Sequence, residues 1–412
     1  VGGGFSTTQG IIDYWVIFGL CTVAMIASVF VLIKVKVSQS WRLPLCILVL
    51  GLFIYPLSTI TISRNIIIQT SNVDYTVLDR SVYVVIFDRY CRNDILQKYF
   101  DYDNTLFLDE LKVRGFQVAN ESMANYAQTS PSTASMMNMQ YLDVLFPDAT
   151  EDTQGYVPIN KAFTSNVIKR TVGNQWYNID SWFKGTQDTN YLLGEYATNL
   201  INSTVLQPAV YYYNNWQRGK YNKGETIENV GGGLTLYTEE WASYLVRYQF
   251  GLLNKEVAPS QPMFLFAHII SPHPPYVFDE NGDNPNLNQS LEKLYVGQLK
   301  YINKLILGWL DKLIKYNPDA VVIILSDEGM RFADSAYNGI RASKTITEEQ
   351  EMEVHSANLL VARNIDIYST VTPVNVMRIM SNKCLGTELE LLEDKSYIIP
   401  DSNFPYRWIR VR

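Results

Sequence analysis

"SVYVVIFD", Ser81 to Asp88, decides the fold. Between its serine and its aspartate lie only apolar side chains, without the alternation that a half-buried strand shows. A short apolar run bounded by polar residues fits a strand covered on both faces, as in a parallel sheet packed between helices. Two later runs have the same form. "PMFLFAHIISPH" leads through His268 to His273, and "AVVIILSDEG" leads to Asp327 and Glu328.

Between those two runs stands "SLEKLYVGQLKYINKLILGWLDKLIKYNPD". Its apolar residues recur at steps of three and four: Leu291, Leu294, Leu299, Ile302, Leu305, Ile306, Trp309, Leu310 and Leu313. That spacing predicts an amphipathic helix ending before Pro318. Strand, long helix, strand is a crossover unit, so the fold class is α/β with a mainly parallel sheet flanked by helices. A second helix is expected from Thr105 to Arg114, with Asn104 as cap and Gly115 as stop. "NLLVA", Asn358 to Ala362, is a further buried strand, and a helix starts near Thr372 and reaches about Met380. Residues 160–260, rich in Tyr, Trp and Asn, read as an insertion with some helices. Its Trp176, Trp182 and Trp216 are candidate groove-lining residues, although such density is also usual in cores.

Upstream, residues 14–33 and 43–62 are two uncharged stretches of about the length a helix needs to cross a bilayer core of ~30 Å. Lys34, Lys36 and Arg42 lie between them, which turns that loop to the cytoplasm and the bulk of the chain outward. The expected organisation is therefore a transmembrane hairpin over 1–64 and a connector over 65–80. An extracytoplasmic domain over 81–400 and a tail over 401–412 follow. The chain opens on Val1, which leaves room for an upstream signal or further spans.

Of 412 residues, 47% are hydrophobic and 18% charged, too apolar for a disordered chain. A formal charge of −7 excludes a nucleic-acid binder. Cys91 and Cys384 fall in the outer part, and the sequence leaves their pairing open. Sequons start at Asn120, Asn202 and Asn288, a pattern common by chance.

In open parallel sheets, ligands bind beyond the carboxyl ends of the strands. Asp88, His268, His273, Asp327 and Glu328 all fall there. Acids also end strands simply because strands end in solvent, but together these residues would converge on one crevice. Carboxylates in number suit one hard divalent cation, Mn²⁺ or Mg²⁺ ahead of Ca²⁺. A cation beside a hydroxyl makes it a nucleophile near neutral pH. "YAQTSPSTASMMN", Tyr126 to Asn138, supplies the hydroxyls.

"FD" after an apolar strand, "TSPSTASMM", "SPHPPYVF" and "SDEG" occur in the order seen in the alkaline phosphatase/sulfatase superfamily. "TSPSTASMMN" resembles the sulfatase signature, in which a Cys or Ser, later oxidised to formylglycine, precedes x-Pro-Ser-Arg. Thr129 stands at the nucleophile position. A threonine there resembles the membrane-anchored branch, the lipoteichoic-acid-synthase-like phosphoglycerol transferases and the phosphoethanolamine transferases. "TPVNVMRIMSNKCLGTELELLEDKSY" is similar to the tail of bacterial membrane sulfatase-like proteins, so the resemblance spans roughly Ser81 to Tyr397.

The resemblance implies metal ligation by Asp88, Thr129, Asp327 and Glu328. It implies Thr129 as nucleophile and His273 holding the transferred group's oxygen. Ser130, Ser132 and His268 are expected at the substrate, with His268 also able to pack under its strand. It implies a phospholipid or similar phosphodiester substrate, a plasma-membrane location and contact with membrane lipid, with partner subunits in the membrane a further possibility. His355 reads as a core or surface histidine.

Two departures stand out. Asp327-Glu328-Gly329 replaces Asp-His-Gly, which admits either an altered metal site or a degenerate one serving as a membrane-anchored structural or accessory subunit. Thr133 takes the signature arginine's place, and threonine cannot yield formylglycine.

Overall fold

The computed structural model describes residues 76–180, 239–332 and 342–412. The expected spans at 14–33 and 43–62 lie outside the described residues, as do Trp182 and Trp216. Among the described residues, no helix is long and apolar enough to cross a membrane.

The described residues hold a six-stranded sheet in the order β2-β6-β5-β1-β4-β3. These strands are β1 (Val82–Phe87), β2 (Phe116–Val118), β3 (Trp176–Asp180), β4 (Phe264–Ile269), β5 (Val321–Leu325) and β6 (Leu360–Arg363). Pairings of β1 with β4, β1 with β5 and β3 with β4 are parallel. β6 runs antiparallel to β5, and β2 antiparallel to β6. The sheet is thus mainly parallel with an antiparallel edge. β3 lies inside the stretch read as an insertion, yet it extends the sheet beside β4. Every residue of β1, β4 and β5 is buried, as continuous apolar runs require.

Helices cover both faces. Apart from the single turn Leu142–Leu145, the described α-helices are α1 (Asn93–Phe100), α2 (Thr105–Val113), α3 (Thr129–Met137), α4 (Val157–Thr164), α5 (Val167–Val172), α6 (Glu239–Lys255), α7 (Leu291–Tyr316), α8 (Glu348–Ser356) and α9 (Pro373–Cys384). α7 buries the expected stripe except Leu305, which is only partly covered. Its Trp309 meets Tyr83 of β1 edge-on at 6.2 Å, and Phe250 of α6 stacks on Phe87 at 5.9 Å. On the opposite face Phe163 of α4 packs on Phe266 at 5.5 Å. α3 is held between α4 and α9. α2 ends at Val113, two residues before Gly115, whose φ of +83° suits glycine.

The last residues fold back onto the domain. β7 (Tyr397–Ile398) pairs with β8 (Ile409–Arg410), and Tyr126 stacks on Tyr397 at 5.2 Å with Trp408 at 5.7 Å. The segment entering α3 therefore rests on an aromatic cluster. Cys91 and Cys384 are free, buried thiols.

Candidate active site

Register brings the strand ends together. Ile86 of β1 pairs with His268 of β4 on one side and with Leu325 of β5 on the other. Asp88 follows β1, and Asp327 follows β5 by two residues. Asp88, His268 and Asp327 are 0%, 3% and 1% exposed, and each offers a ligand atom within 4.8 Å of the others. His268 Nε2 stands 3.8 Å from Asp88 Oδ2 and 3.6 Å from Asp327 Oδ2. Both carboxylate oxygens of Asp88, and Oδ2 of Asp327, have no hydrogen-bond partner among the described residues.

Buried anionic oxygens without partners are costly. Burial first, and the Asp327 charge second, push the Asp88 carboxyl well above the usual carboxylate range. Two carboxylates and an imidazole converging on one point, with orphaned oxygens, suit a divalent cation in both charge and donor type.

Around this cluster runs a second, cationic layer. Arg89, next to Asp88, adopts φ 61°, and its carbonyl accepts from the Tyr295 hydroxyl at 2.7 Å. Its Nε donates to Glu328 Oε1 at 3.0 Å. His355 Nε2 lies 2.9 Å from Glu328 Oε2, and Arg331 Nε donates to that same nitrogen at 2.7 Å. A neutral ring with Nε2 bare accepts from Arg331; a ring protonated there donates to Glu328. Burial raises the Glu328 carboxyl, but His355, Arg89 and Arg331 outweigh it and hold the group below the usual carboxylate range.

Arg331 Nη2 reaches the carbonyl of Ala127 at 3.2 Å, two residues before Thr129. Thr129 opens α3 and is partly exposed, as is Ser130. Gln128 precedes them and accepts from Tyr156 at 2.5 Å. Ser132 is buried, and its Oγ has no partner among the described residues. Thr133, at the signature arginine's position, donates its hydroxyl to the Thr129 carbonyl at 2.6 Å and so braces the first turn.

His273 N–H donates to the Asp88 carbonyl at 3.0 Å, which ties the "SPHPP" segment to the end of β1. Its Nδ1 contacts the Pro274 carbonyl. Burial, reinforced by Arg89, pushes the imidazole down to about 3. It is therefore neutral at neutral pH, with Nδ1–H on Pro274 and a bare Nε2.

The model of the sulfatase family matches residues 82–367, more than half of the chain. The chain belongs to the sulfatase family. No curated protein matches it. Among solved structures, the C-terminal periplasmic domain of EcEptC from Escherichia coli, in complex with Zn, is 12% identical with a TM-score of 0.48, covering 83% of this chain and 94% of that one. Phosphonate monoester hydrolase of Agrobacterium radiobacter is 13% identical, TM-score 0.42, covering 77% and 80%. The soluble domain of lipooligosaccharide phosphoethanolamine transferase A from Neisseria meningitidis is 15% identical, TM-score 0.38, covering 74% and 92%.

For a sulfatase-family chain, the cluster that converges here is Asp88, His268 and Asp327. Glu328 has Oε1 bonded to Arg89 and Oε2 2.9 Å from His355 Nε2, so both oxygens face these two side chains. Sequence reasoning missed Arg89, Arg331 and the placement of His355. The available signal was their position: Arg89 follows a strand-end acid, and Arg331 follows "SDEG" by two residues.

Gly329 allows the second layer to close. Its N–H donates to the His355 carbonyl at 2.7 Å, and a Cβ on it would lie 2.0 Å from the Val354 carbonyl oxygen. Gly329→Ala is expected to cost at least ~1–3 kcal/mol through forced backbone displacement, measured by denaturant unfolding.

The depressed His273 gives a pH prediction. Its folded value, about 3, lies below the ordinary 6.5, so the unfolded chain binds the proton first. The stability it contributes is present above pH 6.5 and is lost as pH falls toward 3. His273→Gln is expected to flatten the acid-side fall of unfolding free energy, measured by denaturant titrations across that window.

Proposed function

We propose that this sulfatase-family protein is a hydrolase or transferase of phosphoryl esters with Thr129 as nucleophile. The favoured form is phosphoglycerol or phosphoethanolamine transfer from a membrane lipid at the outer face of the plasma membrane. One observation carries the reading: buried oxygens of Asp88 and Asp327, without a hydrogen-bond partner among the described residues, face His268 beyond three adjacent parallel strands. A divalent cation, Mn²⁺ or Mg²⁺ in first place, would supply neutralisation of anionic oxygen and a lowered pKa for a neighbouring hydroxyl.

Asp88, His268 and Asp327 would hold that cation, with Thr129 beside it. Thr129 Oγ1, giving up its proton, displaces one alcohol from phosphorus, and that alcohol leaves with its bridging oxygen and takes up a proton. The threonine-bound phosphate, still esterified to glycerol or ethanolamine, then passes to an acceptor hydroxyl or to water, which returns a proton and restores Thr129. The start of α3 favours an anionic group through the positive end of its helix dipole. Ser130 and Ser132 in that first turn, and His273 with a bare Nε2, are further candidates for substrate contact. Sulfate-ester chemistry through formylglycine is disfavoured, since threonine cannot be converted to it.

A second reading rests on Glu328, which stands where the family has histidine and is engaged by Arg89 and His355. It makes the protein an accessory subunit with a degenerate site. The two readings are separated with the full chain, stripped by chelator and resupplied with Mn²⁺, Mg²⁺, Ca²⁺ or Zn²⁺. Release of nitrophenol from bis-p-nitrophenyl phosphate, dependent on added cation, supports the enzyme. Cation binding without turnover of the diester, the monoester or p-nitrophenyl sulfate supports the accessory role.

A further inference from the structure

We propose that Glu328 is a positioning residue and not a ligand of the cation: it clamps Arg89, His355 and Arg331 into a frame that holds the turn before Thr129. The proposal deepens the reading of the Asp88–His268–Asp327 cluster and rests on it for the location of the cation. The geometry is continuous. Glu328 Oε1 takes the Nε proton of Arg89, and Oε2 lies 2.9 Å from His355 Nε2 and 3.6 Å from Arg331 Nη2. Arg331 then donates to the Ala127 carbonyl.

Each member is anchored from a different element. Arg89 is fixed by the Tyr295 hydroxyl on α7. His355 sits in the last turn of α8, which lies against Gly329. Ser326 joins the strand ends: it accepts from the Tyr90 N–H at 2.8 Å and donates to the Glu328 carbonyl at 2.6 Å. Asn358 closes the ring by donating to the Ser326 carbonyl at 2.7 Å.

Glutamate suits this work. A carboxylate accepts on two oxygens at once, so it can serve a guanidinium on one side and an imidazole on the other. A histidine in its place has two ring nitrogens and carries no negative charge to set against the two arginines. Arg89 and His355 are buried and Arg331 is partly exposed with a side chain 24% accessible, and positive charge gathered there is offset by an anion between them. Glu328 is that anion, and both its oxygens are already engaged.

The test compares the full chain with Glu328→Gln, Asp327→Asn and Arg331→Met. Two quantities are read: Mn²⁺ affinity, and hydrogen exchange of the amides in residues 126–133. Loss of a direct ligand should exceed the ~10–100-fold typical of an outer partner. Glu328→Gln is expected to lower Mn²⁺ affinity by no more than the ~10–100-fold of an outer partner, and Asp327→Asn to abolish it. Both Glu328→Gln and Arg331→Met are expected to speed exchange in 126–133 by about tenfold or more, and Asp327→Asn to leave it unchanged.

Arg331→Met breaks the frame at its outer end, so it reports even where Glu328→Gln fails to fold. Loss of Mn²⁺ in Glu328→Gln equal to that in Asp327→Asn would overturn the proposal. So would unchanged exchange in both frame variants. If the unsubstituted chain binds no Mn²⁺, the cation reading falls separately, and the exchange data alone decide whether the frame holds the turn.

Discussion

Thr129→Ala is expected to lower phosphodiester turnover by at least ~10³-fold, with bound Mn²⁺ and melting temperature almost unchanged. The size follows from chemistry. An alanine offers no oxygen to phosphorus, so the covalent route is closed and only direct attack by water is left. The small effect on folding follows from the structure. Thr129 bonds Thr133 through its carbonyl, which alanine keeps, and alanine is a better helix former than threonine. Thr129→Ser keeps the hydroxyl and is expected to retain part of the activity. Full activity in Thr129→Ala would remove Thr129 from the mechanism and direct attention to Ser130 and Ser132 in the same turn.

The second large effect concerns Asp327. With no cation, Asp88 and Asp327 are two buried carboxylates facing each other, and the Asp88 carboxyl is raised by burial and by Asp327. A raised carboxyl contributes stability below its unfolded value, near 3.8, and loses it as pH rises through the folded value. At neutral pH the stripped site is therefore a liability. Asp327→Asn removes one charge and adds an amide donor beside Asp88. The stripped variant is expected to gain about 1–3 kcal/mol over the unsubstituted protein, seen as a rise of a few degrees in Tm. Saturating Mn²⁺ reverses the order. At a free concentration of 100 Kd it stabilises the unsubstituted protein by about 2.7 kcal/mol and the variant not at all. Thermal scans with and without Mn²⁺ should cross. A Tm of the unsubstituted chain indifferent to every divalent cation would sink the metal site.

Much of this was legible in the sequence because the decisive elements are covered on all sides. β1, β4 and β5 are uninterrupted apolar runs, and α7 carries the regular stripe of a helix lying on them. Asp88, His268 and Asp327 could be picked out because each sits where such a run meets polar sequence. Strand direction was not legible: the run ending at Ala362 forms β6, but length and hydrophobicity carry no sign of its antiparallel course. β3, "WYNID", has Asn178 amid its apolar residues and a place at the sheet edge, so it reads as loop. β2 is three residues long and shows no period at all. The frame around Glu328 was hidden for another reason. Arg89, Arg331 and His355 are single polar residues that look solvated in sequence, and only packing shows that they meet.

The central place of β1 bears on biosynthesis. Its flanking partners begin at Phe264 and Val321, so a ribosome delivers this fully buried strand long before either neighbour exists. Until then "VYVVIF" presents bare edges on both sides, the kind of segment that seeks strands on other chains. A long wait with both edges open during synthesis is built into the strand order itself.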